Sequence, residues 1–268
     1  MAGRLAILAC GGALPVRLAE AFPDAMQITL DGIPSELSGS SQSFQLEKFG
    51  AIFESMRDAG ITRMVFAGDL TRPPLNPAQF DATMMRLAPG LMQAVGKGDD
   101  ALLRFVIGVF EAEGFEVVGA HELLPDLTAP AGLHLGPEPS RGDEADITRG
   151  LDILDAIAPL DLGQGCAVAG GLCLGIETIQ GTDANLRYIA TTPEPLKRGQ
   201  RGVYVKAPKR GQDLRIDMPA IGVRTIEGVA NAGLAGLVVA QGQVLVLEPE
   251  AVKAAVEQSG IFLISRPV

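Results

Sequence analysis

"RLAILACGGALPVRLAEAF", residues 4–22, decides the fold. Residues 4–10 are a short apolar run, the pattern of a strand buried on both faces. "GGALP" at 11–15 is a tight turn, and "VRLAEAF" at 16–22 starts a helix. Strand, glycine turn and helix together open an α/β domain with a parallel sheet. Working outward, "AMQITLDG" (25–32) reads as the second strand. Residues 44–60 read as a helix stopped by Gly60, and "ITRMVFAGD" (61–69) as the third strand. Residues 76–94 read as a helix broken near Pro89 and Gly90. Residues 98–115 read as another, with Asp99 as N-cap and Gly114 as stop, and 116–124 as a fourth strand.

Residues 125–146, "PDLTAPAGLHLGPEPSRGDEAD", are rich in Pro, Gly and acid and read as a linker. A helix at 144–158 follows, and then the texture changes. "GCAVAGGLCLGIETI", "LRYIATTP", "GVYVKAP", "LRIDMPAIG" and "LAGLVVAQGQVLVLEP" are short strands divided by Gly and Pro. Helices are expected at 182–191, 224–232 and 248–259, with "GIFLIS" as a closing strand. The expectation is a two-domain α/β protein. Residues 1–130 form an N-terminal Rossmann-like parallel-sheet domain, 131–145 a linker, and 146–268 a C-terminal α/β catalytic domain.

The chain has 268 residues, 47% of them apolar, enough to build two cores and to exclude general disorder. Aromatic residues are only 4%, with no Trp, so an aliphatic core is expected. A formal net charge of −10 repels phosphate backbones, and no nucleic-acid partner is expected. Cys10, Cys166 and Cys173 form no CxxC pair and read as reduced, small core residues. No run reaches the ~20 apolar residues that span a bilayer. The first apolar run is short and flows into the glycine turn, so it reads as a strand rather than a signal peptide.

Several constellations carry chemistry. A glycine turn between a strand and a helix converges backbone N–H groups on the positive helix end, which suits phosphate. This makes Gly11, Gly12, Leu14 and Pro15 candidates for substrate contact, although Leu14 and Pro15 break the GxGxxG pattern. Asp31 stands ~20 residues further on, where a Rossmann site uses an acid. "FAGDLTRP" offers Asp69 and Arg72 at a strand exit. "GKGDDALLR" offers Asp99 and Asp100, with Arg104 as an i,i+4 partner of Asp100. A turn, a helix cap and a surface ion pair are the structural alternatives for these three motifs.

The fourth constellation is "GIETIQGTD" (175–183) with "KAPKRGQDLRIDMP" (206–219). Glu177 lies in an apolar strand pattern, where a carboxylate is costly unless paired or bound to metal. Asp183 follows a glycine turn. Asp213 and Asp217 share a face of an extended strand, ~13 Å apart, so one ion meets both only where the chain bends. Lys206, Lys209, Arg210 and Arg215 surround them. Magnesium takes a few carboxylates together with water and phosphate oxygens, and the cations would neutralise a diphosphate. The alternative is a surface salt-bridge network. His121 and His134 are isolated and no GxSxG occurs, so a hydrolase built on this chain uses metal-activated water.

These motifs run through the whole chain: "GGALP", "FAGDLTRP", "GKGDDALLR", "ELLPDLTAP", "LDLGQGCAVAGGLCLGIETIQGTD", "KAPKRGQDLRIDMPAIGVRTI" and "AGLAGLVVAQGQVLVLE". Together they resemble the metal-dependent UDP-2,3-diacylglucosamine pyrophosphatases of lipid A biosynthesis, the LpxI family. The resemblance implies hydrolysis of the substrate's diphosphate to UMP and 2,3-diacylglucosamine 1-phosphate (lipid X). It implies Mg2+ as cofactor and water attacking the phosphorus next to the sugar. The family's essential acid lies in a QDxRxDxP segment, which points to Asp213 or Asp217, with Asp217 favoured. Glu177, Gly181, Thr182 and Asp183 match a VExxEGTD-like segment. Gln180 stands where an acid is common, which removes position 180 from the metal set.

By that resemblance the catalytic candidates are Asp217, Asp213, Lys206, Lys209 and Arg215. The metal candidates are Asp217, Asp213, Glu177 and Asp183. Gly11, Gly12, Leu14, Pro15, Asp69, Arg72, Asp99, Asp100, Gly181, Thr182 and Gln212 are the substrate-contact candidates. The partners implied are UDP-2,3-diacylglucosamine and its lipid product. A cytoplasmic, peripheral location with transient contact at the inner-membrane face is implied too, and a homodimer stays open. "MMRLAPGLM" and "FVIGVF" either line an acyl groove or are plain core. The rival reading is a nucleotide-sugar or lipid-nucleotide binding module without hydrolysis.

Overall fold

The computed structural model describes residues 3–70 and 74–268. The chain divides into two compact units. The N-terminal unit runs to Pro125 and takes in Arg215–Asp217; the C-terminal unit holds Asp126–Leu214 and Met218–Val268. The fold is two-domain α/β, with a parallel sheet in the first unit and a mixed sheet in the second.

In the N-terminal unit, in chain order, the elements are β1 (Arg4–Ala9), α1 (Ala13–Ala21), β2 (Met26–Leu30), β3 (Gln42–Phe44), α2 (Phe49–Asp58) and β4 (Ile61–Ala67). Then come α3 (Ala82–Val95), α4 (Asp99–Ala112), β5 (Glu116–Val117) and α5 (Ala120–Leu123). The five strands lie in the order β3-β2-β1-β4-β5, all parallel. Side chains alternate across a strand, and here both faces are covered. Ala6 and Leu8 pack with Ile52, Phe53, Met56 and Phe110 on one side; Leu5, Ile7 and Ala9 pack with Leu18 on the other. That double burial is why the strand sequence reads as one apolar run.

The core is mainly aliphatic, as expected, with one aromatic layer. Phe49, Phe53, Phe66, Phe110 and Phe115 form one aromatic knot, with Phe53 and Phe110 edge-to-face at 5.1 Å. Five of the ten Phe residues of the chain stand in this layer. The helix over 82–95 is also continuous, with Pro89 inside it. It is held by tight packing on α4: a Cβ on Gly90 would sit 2.6 Å from the Phe105 ring. Tertiary contact here overrides the local breaker. The expected strand over 116–124 is cut to β5 and followed by α5, and β3 occupies the start of the span read as helix from 44.

The C-terminal unit comprises β6 (His134–Leu135), α6 (Arg141–Ile157), β7 (Gly165–Ala169), β8 (Leu172–Ile176), α7 (Gly181–Ala190) and β9 (Val203–Lys206). It continues with β10 (Ala220–Ile221), α8 (Val223–Asn231), β11 (Gly236–Ala240), β12 (Leu245–Val246), α9 (Pro249–Ser259) and β13 (Phe262–Arg266). The stretch read as linker thus carries β6 and the first turn of α6, where Ser140 and Asp143 form a reciprocal cap. Six strands lie in the order β6-β13-β11-β9-β7-β8; β9, β11 and β13 are parallel, and β7 runs antiparallel to both β8 and β9. β10 and β12 pair separately.

Gly170 and Gly171, both at positive φ, make the two-residue turn between β7 and β8, as a tight hairpin requires. α6 lies close on β9: a Cβ on Gly150 would meet Val205 Cγ2 at 2.5 Å. The alternation of β9 then turns Tyr204 and Lys206 to the other face, toward α7. Cys10 and Cys166 are buried as expected, whereas Cys173 is exposed, because β8 is the outermost strand. Among the described residues no helix is long and apolar enough to cross a membrane.

Candidate active site

The carboxyl edge of the parallel strands of the C-terminal sheet gathers buried charge. This is the edge where α/β sheets take ligands. Lys206 is the last residue of β9, and Glu177 is the first residue past β8, which ends at the same edge. Thr182 lies in the first turn of α7. Glu177 and Lys206 are only 8% and 5% exposed. Glu177 Oε2 accepts hydrogen bonds from Thr182 Oγ1 at 2.7 Å, from Tyr204 Oη at 3.2 Å and from Lys206 Nζ at 3.5 Å. Lys206 Nζ also donates to Thr182 Oγ1. An isolated buried charge is strongly unfavourable; this one is paired and hydrogen-bonded.

Glycines make the room. A Cβ on Gly163 would run into the Glu177 backbone, and one on Gly165 into the Tyr204 hydroxyl. In "LDLGQGCAV" these positions are therefore small because a polar cluster leans on them. Burial, then the nearby charge of Glu177, pushes the Tyr204 phenol far above its ordinary value, so it stays a neutral donor.

The basic segment continues from β9. Lys209 Nζ pairs with Asp161, and its backbone N–H donates to Gln212 Oε1 at 2.9 Å. Arg210 pairs with Asp155 at 2.5 Å on the surface. Asp213 and Asp217 are half-buried, and residues 214–216 form a turn between them. The extended-strand expectation is corrected there: the chain bends, and the face-sharing argument lapses. Arg215 donates to Glu111 Oε1 at 2.7 Å and to the Val117 carbonyl, which ties it to α4 and β5. Arg215 and Asp217 count with the N-terminal unit, whereas Glu177, Asp183, Lys206, Lys209, Gln212 and Asp213 belong to the C-terminal one. Asp183 is exposed near the start of α7, with Arg224 3.8 Å away. Gly181 opens that helix at φ 80°.

The N-terminal unit offers a different surface. Gly11 and Asp69 exchange backbone hydrogen bonds at 3.2 and 2.9 Å, bridging the ends of β1 and β4. The strand order reverses there, and such a switch point is a common ligand crevice. Gly68 lies so close to the Gly11 carbonyl that no side chain fits. Gly12, at φ 90°, precedes α1 without any side-chain cap, with Leu14 and Pro15 in the first turn. Asp31 accepts from Ser43 Oγ. Asp99 and Asp100 stand in the first turn of α4, whose N-cap is Gly98, not Asp99; Arg104 pairs with Asp100 at 2.7 Å. Arg72 lies outside the described residues.

Among the described residues no three of His, Cys, Asp and Glu come together in a way that would hold a metal alone. Magnesium does not require that, since one or two carboxylates with substrate phosphates and water suffice. Any cation on Glu177 must share it with the Lys206 ammonium. Sequence reading missed Tyr204 and Asn185. Tyr204 is two residues before Lys206 on one strand and Asn185 three after Thr182 on one helix, so each shares a face with a residue already singled out.

Both units match known families. Residues 4–127 match the LpxI N-terminal domain and residues 130–264 the LpxI C-terminal domain. The chain is also similar to UDP-2,3-diacylglucosamine pyrophosphatase LpxI of Caulobacter vibrioides. The two are 42% identical over 270 residues, covering 97% of this chain and 96% of that protein.

Proposed function

The chain belongs to the LpxI family, and from that premise we propose that it hydrolyses the diphosphate of UDP-2,3-diacylglucosamine with Mg2+. Water adds to the phosphorus next to the sugar, the anhydride bond breaks, and UMP leaves with the bridging oxygen. The other product is 2,3-diacylglucosamine 1-phosphate. The observation that carries this reading is the buried Glu177–Thr182–Lys206 cluster at the sheet's carboxyl edge.

A lysine held there by a carboxylate and a hydroxyl is a fixed cation for phosphate oxygens. Such a fixed charge stabilises the transition state more than the ground state. Because Glu177 is already balanced by Lys206, it serves best as the orienter of that lysine. Asp213 and Asp183, in the same unit, are then the proposed metal carboxylates there; for activating water, membership of the LpxI family favours Asp217. The cation, when bound, supplies Lewis-acid polarisation of the phosphates. Lys209 and Gln212 of the C-terminal unit are proposed to contact substrate; the uncapped start of α1 at Gly11 and Gly12 is proposed, by itself, as a phosphate contact of the N-terminal unit. The acyl chains imply transient contact with the inner-membrane surface from the cytoplasmic side.

The test is release of UMP from UDP-2,3-diacylglucosamine, with magnesium and then with chelator. Metal-dependent release is expected, as is near-complete loss in a folded Asp217→Asn variant. Binding of the substrate without release, magnesium supplied, would favour the noncatalytic binding module instead. Normal turnover by the variant would move the water-activating role to Asp213.

A further inference from the structure

Tyr204 is fully buried, yet its hydroxyl faces two acceptors. Glu177 Oε2 is 3.2 Å away and Asn185 Oδ1 3.1 Å. A phenol has one hydrogen to give. Asn185 is oriented independently: its Nδ2 donates to the Ile176 carbonyl at 3.1 Å, which turns Oδ1 toward the tyrosine. The hydroxyl therefore sits in a prepared slot, floored by a glycine at 165 that leaves it space. Phenylalanine would fill the same core volume without burying a polar atom. The hydroxyl is there for the polar cluster, not for packing.

We propose that Tyr204 is a positioning residue for the hydrolysis: its one hydrogen, given to Glu177 in preference to the competing acceptor Asn185, fixes the carboxylate, which with Thr182 aims the Lys206 ammonium. Tyr204 itself touches no substrate. The order of dependence is Tyr204 to Glu177 to Lys206, all within one unit. The role in turnover rests on the proposed diphosphate hydrolysis; the grip on Lys206 does not.

Tyr204→Phe removes the hydroxyl alone. We expect kcat for UMP release to fall about tenfold with KM nearly unchanged, the worth of one hydrogen bond felt in the transition state. In a Glu177→Gln background the same change should cost less than about twofold, because the interaction it serves is already gone. Asn185→Ala, which removes only the competing acceptor, should leave kcat within about twofold; a fall as large as that of Tyr204→Phe would show that the hydroxyl serves Asn185 instead and would overturn the proposal. Undiminished kcat in Tyr204→Phe, or an equal loss in both backgrounds, would overturn the proposal. A second measurement is independent of turnover: labelling of Lys206 by a small amine-reactive reagent, read by mass spectrometry. Faster labelling in Tyr204→Phe at an unchanged melting temperature is expected, and equal labelling would overturn the proposed grip. A wild-type protein that released no UMP would defeat the hydrolase reading, while the labelling comparison would still decide what Tyr204 holds.

Discussion

The β7–β8 hairpin carries a buried carboxylate near each end, and the two are held in opposite ways. At the turn, Asp146 reaches in from α6, 1% exposed, and takes the backbone N–H groups of Gly170 and Gly171 at 2.9 and 2.7 Å. At the open end, Glu177 takes a threonine, a tyrosine and a lysine. Backbone amides neither titrate nor rotate away, so Asp146 locks a turn. Side-chain donors, one of them charged, can exchange partners with a ligand. Burial of an acid alone therefore says little about function; the identity of its donors tells whether it locks a backbone turn or stands in an exchangeable side-chain network.

The largest expected effect lies at the Glu177 end. Glu177→Gln keeps the shape but removes the charge that pairs with Lys206. Turnover per folded molecule should drop about 100-fold, near 3 kcal/mol of barrier, and the melting temperature should fall as well, because the buried Lys206 charge loses its partner. Asp146→Asn should cost stability alone. Its amide would point a donor at a backbone donor, at a cost of about 2 kcal/mol of stability. Turnover per folded molecule should hold. If both variants lost activity alike, the contrast between the two ends would collapse.

A buried acid in the strand between these ends sharpens the comparison. Burial pushes the Cys166 thiol up to about 12 from its ordinary 9.0. The unfolded chain releases that proton first, so the contribution is intact below pH 9 and drains away between pH 9 and about 12. The slope is about 1.4 kcal/mol per pH unit for this group. Urea unfolding across that range should show the fall, and Cys166→Ala should flatten it. Smallest of all is the exposed pair of Asp183 and Arg224, 3.8 Å apart. Arg224→Ala should move stability by no more than about 0.5 kcal/mol, and a clearly larger shift would mean that the pair is anchored more deeply than its exposure implies.

Much of this was legible in the residues. The strand, glycine turn and helix at 4–22 gave the parallel sheet because strands buried on both faces leave an uninterrupted apolar signature. The Asp100–Arg104 pair followed from helix spacing. Glu177 stood out because a carboxylate in an apolar run demands a partner. Other features depended on contacts remote in sequence. Tyr204 went unremarked, since nothing local shows its hydroxyl meeting Glu177 and Asn185. Pro89 suggested a break that packing against Phe105 removes. Asp146 drew no notice because its partners are backbone groups of a distant turn. The bend at 214–216 was hidden by residues that suit a strand as well as a turn.

The most direct measurement is magnesium-supported UMP release from UDP-2,3-diacylglucosamine by Glu177→Gln and Asp146→Asn side by side, corrected for folded fraction. A fall of about 100-fold in the first and near-normal rates in the second are expected if the sheet's carboxyl edge is the seat of hydrolysis. Full activity in Glu177→Gln would contradict that and place the chemistry elsewhere in the chain.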